Sequence, residues 1–243
     1  REKEMAVLLE GLERAKSGRG HVLQIEGEGG CGKSRLCHEV ISQLVGSSAL
    51  LLRGKCQKAE TLPLGVVREL IDDYALRVLG LPEREREVEI AKIKTACDSM
   101  GGVLRRLSRG LETILKDVPE VGVLEAANER DRLYRVTGEF LNRLSQPHEV
   151  MIVLIDDIQW LDSASLEVLR RFAGMITNSK ILFLTTSRND TDNIGAMNNF
   201  VSQVGERIVS RVTLGPLSNL DIKQYVFAFL GTDDVDEVGD SYH

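Results

Sequence analysis

The string "GEGGCGKS", Gly27 to Ser34, stands between the apolar run "HVLQIE" and the helical pattern "RLCHEVISQLV". Glycine fills four of its eight positions. Only glycine turns through positive φ without steric cost, so the main chain here must turn tightly between a strand and a helix. That order of strand, loop and helix is the tightest constraint on the fold.

Four further apolar runs repeat the strand signal: "ALLLRGK" (49–55), "VMIVLI" (150–155), "KILFLTT" (180–186) and "RIVSRVTL" (207–214). Continuous apolar character, clearest over 150–155, is that of a strand buried on both faces of a parallel sheet. Helical stripes lie between, with Leu36, Val40, Ile41 and Leu44 after the glycines and Leu166, Leu169 and Phe172 after residue 162. Asp162 or Ser163 is placed to cap the second of these helices. Alternating strands and helices predict an α/β fold, a three-layer sandwich around a mainly parallel five-stranded sheet.

Residues 57–148 interrupt that alternation and show no strand. The stripes Leu104, Leu107, Leu111, Ile114 and Leu133, Val136, Phe140, Leu144 predict helices, and "PEREREVEIAKIK" (82–94) reads as a solvated helix face. This is a helical insertion in a core covering 1–215. Ser218 and Asp221 then have capping-box spacing, so a helix is expected from about residue 219 to Gly231. Residues 216–243 read as the beginning of a truncated helical lid.

Composition removes several classes. The 42% hydrophobic and 28% charged residues are those of a globular domain. A net charge of −6, with scattered cations, makes a nucleic-acid-wrapping protein an unlikely expectation. "VMIVLI" is too short to span a bilayer and Arg1 opens no secretory signal, so no membrane partner and a cytoplasmic location are expected. Cys31, Cys37, Cys56 and Cys97 form no C-x-x-C pair and have no zinc spacing with the four histidines; Cys31 alone sits where oxidation could matter. The sequon at Asn189 has no secretory context and is set aside.

The glycine string fits G-x-x-x-x-G-K-[ST] throughout. A polyphosphate requires inward main-chain N–H groups and the positive end of a helix, which such a loop supplies. Gly27, Glu28, Gly29, Gly30, Cys31, Gly32, Lys33, Ser34 and Arg35 are therefore the expected nucleotide-binding residues. Lys33 would reach the terminal phosphates and the Ser34 hydroxyl would hold Mg2+. Two adjacent acids end the most buried strand, in "VMIVLIDDIQWLD", where they are costly without a cation. Asp156 is assigned to Mg2+ and Asp157 to the attacking water. Arg188, after "KILFLTTS", would either sense the terminal phosphate or sit exposed in a loop, with Thr185, Thr186 and Ser187 as weaker candidates. No [NT]-K-x-D string occurs, which favours ATP over GTP.

In their order, "REKEM", "GEGGCGKSRL", "LIDDIQWLDSASLEVLR", "TTSR" and "LGPLS" resemble the signal-transducing ATPases with numerous domains within the AAA+ class of P-loop ATPases, and particularly the origin-recognition-complex-like AAA ATPase domains. The resemblance implies a P-loop fold, ATP and Mg2+ as cofactors, and a site to which Arg1, Arg188 and Pro216 contribute, with Trp160 and Asp162 shaping its wall. It also implies partners in other domains of the same polypeptide and nucleotide-dependent self-association. Gly29 stands where the family often has proline, and Asp157 where motors of the class often have Glu; a shorter acid implies slow turnover.

Three functions follow as expectations. The first is an ATP-binding, slowly hydrolysing switch domain of a larger signalling protein. The others are a nucleic-acid-associated ATPase of the origin-binding type and a nucleotide-bound scaffold that never hydrolyses.

Overall fold

The expected strands form close to their sequence limits: β1 His21–Gly27, β2 Leu50–Lys55, β3 Met151–Asp156, β4 Ile181–Ser187 and β5 Val209–Leu214. This computed structural model describes residues 1–44, 48–58, 62–122, 125–189 and 209–216. The helix expected after residue 219 and the capping pair Ser218 and Asp221 lie outside them. Every ladder among the described residues is parallel, in the order β2-β3-β4-β1-β5. The order matters for the site, because β4 is inserted between the strand that leads into the glycine loop and the strand that ends in the two acids.

Helices cover both faces. Helix α1 (Glu2–Lys16), which the strand-centred reading of the sequence missed, and α2 (Lys33–Ser42) close one face. Leu8, Leu12, Leu36, Cys37 and Val40 meet Leu23, Ile25, Ile152, Leu182 and Leu184 there. Side chains alternate across a strand, so Met151, Val153 and Ile155 of β3 and Ile181 and Phe183 of β4 point the other way. They meet α3 (Gly65–Leu79), α7 (Ala126–Ser145) and α8 (Ser163–Ala173), and Phe172 of α8 stacks obliquely on Phe183 with ring centroids 5.3 Å apart. By the same parity Asp156 and Thr186 project on the α2 side.

The segment between β2 and β3 is helical throughout its regular elements, with α4 (Glu83–Cys97), α5 (Gly101–Leu104) and α6 (Arg109–Ile114) behind α3 and α7. One expectation is corrected here. The stripe 104–114 is not one helix: it breaks after Leu104, and Ser108 starts α6 by accepting the Leu111 N–H at 3.1 Å. All four apolar residues of the stripe are nonetheless buried, since the short helices meet the same core. The segment 82–94 does present a solvated helix face, and its opposite face seats Ile93, fully buried, with Ile90 beside it.

The insertion also seals the outer edge of the sheet. Glu69 of α3 accepts the Lys55 N–H at 3.0 Å, and Arg77 donates to the Leu51 carbonyl, so two edge-strand groups that would otherwise be open are satisfied. Gly54 permits this close approach: a Cβ there would lie 2.8 Å from Val66. Among the described residues no helix is long and apolar enough to cross a membrane.

Candidate nucleotide site

At the carboxyl end of β1 the chain enters the glycine loop and emerges at the first turn of α2. Gly32 caps that helix in the left-handed region at φ 94°, and Gly30 turns at φ 81°, conformations that the glycines supply without strain. Gly32 offers no side-chain acceptor, so the first N–H groups of α2 are left open at the positive end of its dipole. Within the loop the Cys31 N–H donates to the Glu28 carbonyl at 3.4 Å. Among the described residues no backbone acceptor serves the N–H groups of Gly32, Lys33 or Ser34. Glu28, Gly29, Gly30, Ser34 and Arg35 are exposed, while Cys31 is buried. Lys33 folds back across the loop, its ammonium donating to the carbonyls of Gly27 and Glu28 at 2.8 Å each. The Arg35 side chain runs along α2 to Glu39 at 3.4 Å, away from the loop.

The acids lie opposite. The Ser34 hydroxyl sits 3.5 Å from Asp156 Oδ2, joining the start of α2 to the end of β3. The Thr186 hydroxyl donates to Asp156 Oδ1, and its own Oγ1 accepts the Asp157 N–H at 3.1 Å. Thr186 thus serves both acids from the intervening strand, a role its fully buried side chain can fill only because β4 separates β1 from β3. A hydroxyl and a carboxylate are hard oxygen donors of the kind that hold Mg2+ while it keeps several waters, so the residues present fit that ion. The neighbouring thiol of Cys37 is pushed up to about 12 by burial and then by the Asp156 charge, and stays protonated.

Asp157 turns the chain at φ 56°, in the left-handed region that Asp tolerates better than most residues. Its carboxylate is held on both oxygens: Gln159 Nε2 donates to Oδ1 at 3.1 Å, and Lys55 Nζ from the end of β2 pairs with Oδ2 at 3.3 Å. Gln159 is itself buried, and its Oε1 accepts the Arg188 N–H at 3.4 Å. Asp162, rather than Ser163, caps α8, accepting the Ser165 N–H at 2.9 Å and the Leu64 N–H at 3.1 Å. Trp160 is half-buried beside the main core, with Lys58 over its ring at 5.1 Å.

Ser34, Asp156 and Asp157 are therefore gathered at one end of the sheet, beside the loop that carries Lys33. Arg188 reaches this cluster through its main chain, and its side chain is exposed. Arg1 contacts the loop from behind: Nη2 donates to the Cys31 carbonyl at 3.0 Å and to the Gly215 carbonyl at 2.7 Å. Pro216 follows that contact and is exposed. Lys55 and Gln159, which the sequence did not single out, and Thr186, one of its weaker candidates, contact the two acids. The only signal for them was position, at a strand end or next to an acid.

Comparison with known proteins gives the fold a context. No curated protein matches the sequence. The ADP form of ORC2 from Aeropyrum pernix is similar in structure, with a TM-score of 0.53 at 17% identity over 94% of this chain and 51% of that one. ORC1 of the same organism, in complex with DNA, has a TM-score of 0.50 at 15% identity over 95% of this chain and 49% of its own. Cdc6p from Pyrobaculum aerophilum also scores 0.50, at 14% identity over 93% of this chain and 47% of its own. The chain thus spans about half the length of each. A family model described as AAA ATPase domain matches residues 1–184, most of the sequence, and the chain belongs to that family.

Proposed function

We propose that this domain binds ATP with Mg2+ and hydrolyses it slowly, as the nucleotide-dependent switch of a larger signalling or regulatory polypeptide. The observation that carries the reading is the convergence of Ser34, Asp156 and Thr186 beside a helix N-terminus where the Gly32, Lys33 and Ser34 amides have no backbone acceptor among the described residues. Those amides would receive the phosphates, and Lys33 would exchange its two loop carbonyls for terminal phosphate oxygens. Ser34 and Asp156 would hold Mg2+, which supplies charge neutralisation at the phosphates when bound. Asp157 would orient the water and take its proton as the bond from the terminal phosphorus to its bridging oxygen breaks, releasing ADP and phosphate. Arg188 would turn its exposed side chain toward the terminal phosphate, while Pro216 borders the nucleotide's outer end and Arg1 braces the loop through its main-chain carbonyls. In this reading 1–215 is the ATPase core, with 57–148 inserted, and 216–243 begins a lid that contacts other domains.

Slow turnover is favoured by the resting engagement of Asp157, whose two oxygens are already occupied. The decisive experiment is ATP affinity with and without Mg2+ together with single-turnover hydrolysis. Lys33→Ala should lower affinity about a hundredfold, and Asp157→Asn should keep binding while cutting hydrolysis about a hundredfold or more. Absence of Mg2+-dependent binding, or equal affinity in Lys33→Ala, would sink the proposal. Tight binding without hydrolysis in the wild type would instead favour the scaffold reading.

A further inference from the structure

Arg1 spends the two N–H groups of a single guanidinium nitrogen on two main-chain oxygens that lie far apart in sequence. One belongs to Cys31 inside the phosphate loop and the other to Gly215, the first residue after β5. Its Nη1 pairs with Glu4 at 3.4 Å, which steadies the guanidinium against α1. Neither carbonyl accepts a backbone hydrogen bond from the described residues, so the guanidinium satisfies both.

The first contact has a consequence for the loop. The described peptide bonds are trans, so the Cys31 carbonyl and the Gly32 N–H point in opposite directions across one rigid plane. Holding that carbonyl behind the loop turns the Gly32 N–H to the opposite side, away from Arg1. Gly32, at φ 94°, has the freedom to rotate this plane, and glycine contributes no side chain to restrain it. The restraint comes from Arg1.

The second contact has a consequence for the chain leaving β5. In the β1–β5 ladder Gly27 is opposite Leu214, and a Cβ on Gly27 would lie only 2.7 Å from the Leu214 carbonyl. The loop's entry is therefore already seated on the end of β5, and Arg1 fastens its later part to the next residue along. Movement of the Cys31 to Gly32 peptide cannot leave Gly215 unaffected while both bonds persist.

We propose that Arg1 is a positioning residue, which aims the Gly32 amide at bound phosphate and relays the state of the loop to the chain beyond β5. This rests on the loop's being the ATP site. It differs from a direct role beside the nucleotide, since the guanidinium acts here through main-chain groups.

The test combines ATP affinity with amide hydrogen exchange, with and without MgATP, in the wild type, Arg1→Met and Arg1→Gln. Methionine keeps length without donors, and glutamine keeps a donor without the reach to bridge both carbonyls. Both variants should fold, because the Arg1 side chain remains 28% exposed, and far-UV circular dichroism checks that they do. We expect each to bind ATP about tenfold more weakly, the scale of one charge-assisted hydrogen bond. In the wild type MgATP should slow exchange at both 29–33 and 212–216; in the variants the slowing should survive at 29–33 and vanish at 212–216. A merely structural residue would alter exchange at 212–216 equally in both states. Variants with wild-type affinity and intact protection at 212–216 overturn the role of Arg1 alone. Wild-type protein that takes up no ATP overturns the underlying reading of the loop.

Discussion

The two sides of the candidate site are built on opposite plans. The glycine loop presents main chain: Gly29 and Gly30 exposed, the Gly32, Lys33 and Ser34 amides without a backbone acceptor among the described residues, and one lysine resting on loop carbonyls. The acidic end presents side chains cross-linked from separate strands and turns, with Thr186, Gln159 and Lys55 each bonded to one of the two acids or its backbone. Backbone amides can receive a polyphosphate whatever residues supply them, provided the chain may turn. Placing a water requires a carboxylate held within narrow limits, and that takes neighbours. In the proposed function binding is thus assigned to conformational freedom and chemistry to restraint, and substitutions on the two sides should fail in different ways.

After the substitutions at Lys33 and Asp157, the largest effect that separates them should come from Thr186→Val. Valine has nearly the same shape, so the fully buried site stays filled, but the hydroxyl that donates to Asp156 and accepts from the Asp157 N–H is lost. Leaving these half-buried partners short of a hydrogen bond costs about 1 kcal/mol or somewhat more. We expect single-turnover hydrolysis to fall about tenfold to a hundredfold, while ATP affinity changes by less than about threefold. A variant that loses binding and hydrolysis in equal measure would show that the acidic end is also a binding element, and the contrast would collapse.

This division explains what the sequence disclosed. The loop was legible because its demands are local: four glycines, a lysine and a hydroxyl fall within eight positions, between a strand signal and a helix signal. The five strands were legible for the same reason, since burial on two faces forces a continuous apolar run. Strand order is not local. Nothing in "KILFLTTSR" says that its strand slips between the other two, so Thr186 looked no better than Thr185 or Ser187. Lys55 closes a strand about a hundred positions before the acid with which it pairs, and its charge has no sequence neighbour to reveal the partner. The helix α1 escaped for a different reason: only Leu8, Gly11, Leu12 and Ala15 are buried, a narrow stripe among charged residues. In the insertion, the stripe 104–114 correctly marked the core but concealed the break at Ser108, because two short helices can bury the same residues as one long helix.

A smaller effect tests whether the restraint on Asp157 holds back its chemistry. Lys55 is 59% exposed on its side chain, so its pair with Asp157 is screened and worth at most about 1 kcal/mol. That bounds the rate change available at about fivefold. If the pair keeps the carboxylate engaged at rest, Lys55→Met should raise single-turnover hydrolysis by about twofold to fivefold at unchanged ATP affinity. A fall of similar size would mean that Lys55 places the acid productively, and the acidic end would then be assembled in advance of nucleotide. Either sign sharpens the comparison, because on the loop side Lys33 rests on main-chain carbonyls and not on an acid.

The smallest effect belongs to Gly29, and it bears on how much freedom the loop needs. Gly29 has no positive φ, and a Cβ built there meets nothing within 4 Å. Gly27 is the opposite case, with its Cβ position blocked by Cys31 and by the Leu214 carbonyl. If the loop receives phosphate through main-chain N–H groups, an alanine that adds a methyl to open space and leaves φ in an ordinary region should be silent. We therefore expect Gly29→Ala to bind ATP within about twofold of the wild type, with melting temperature unchanged or slightly raised, since alanine restricts the unfolded chain. The same alanine would weaken binding severely if the loop must pass through φ > 0 at this position when nucleotide enters. The measurement thus distinguishes a loop whose turns are already formed at Gly30 and Gly32 from one that requires glycine at every position where it occurs.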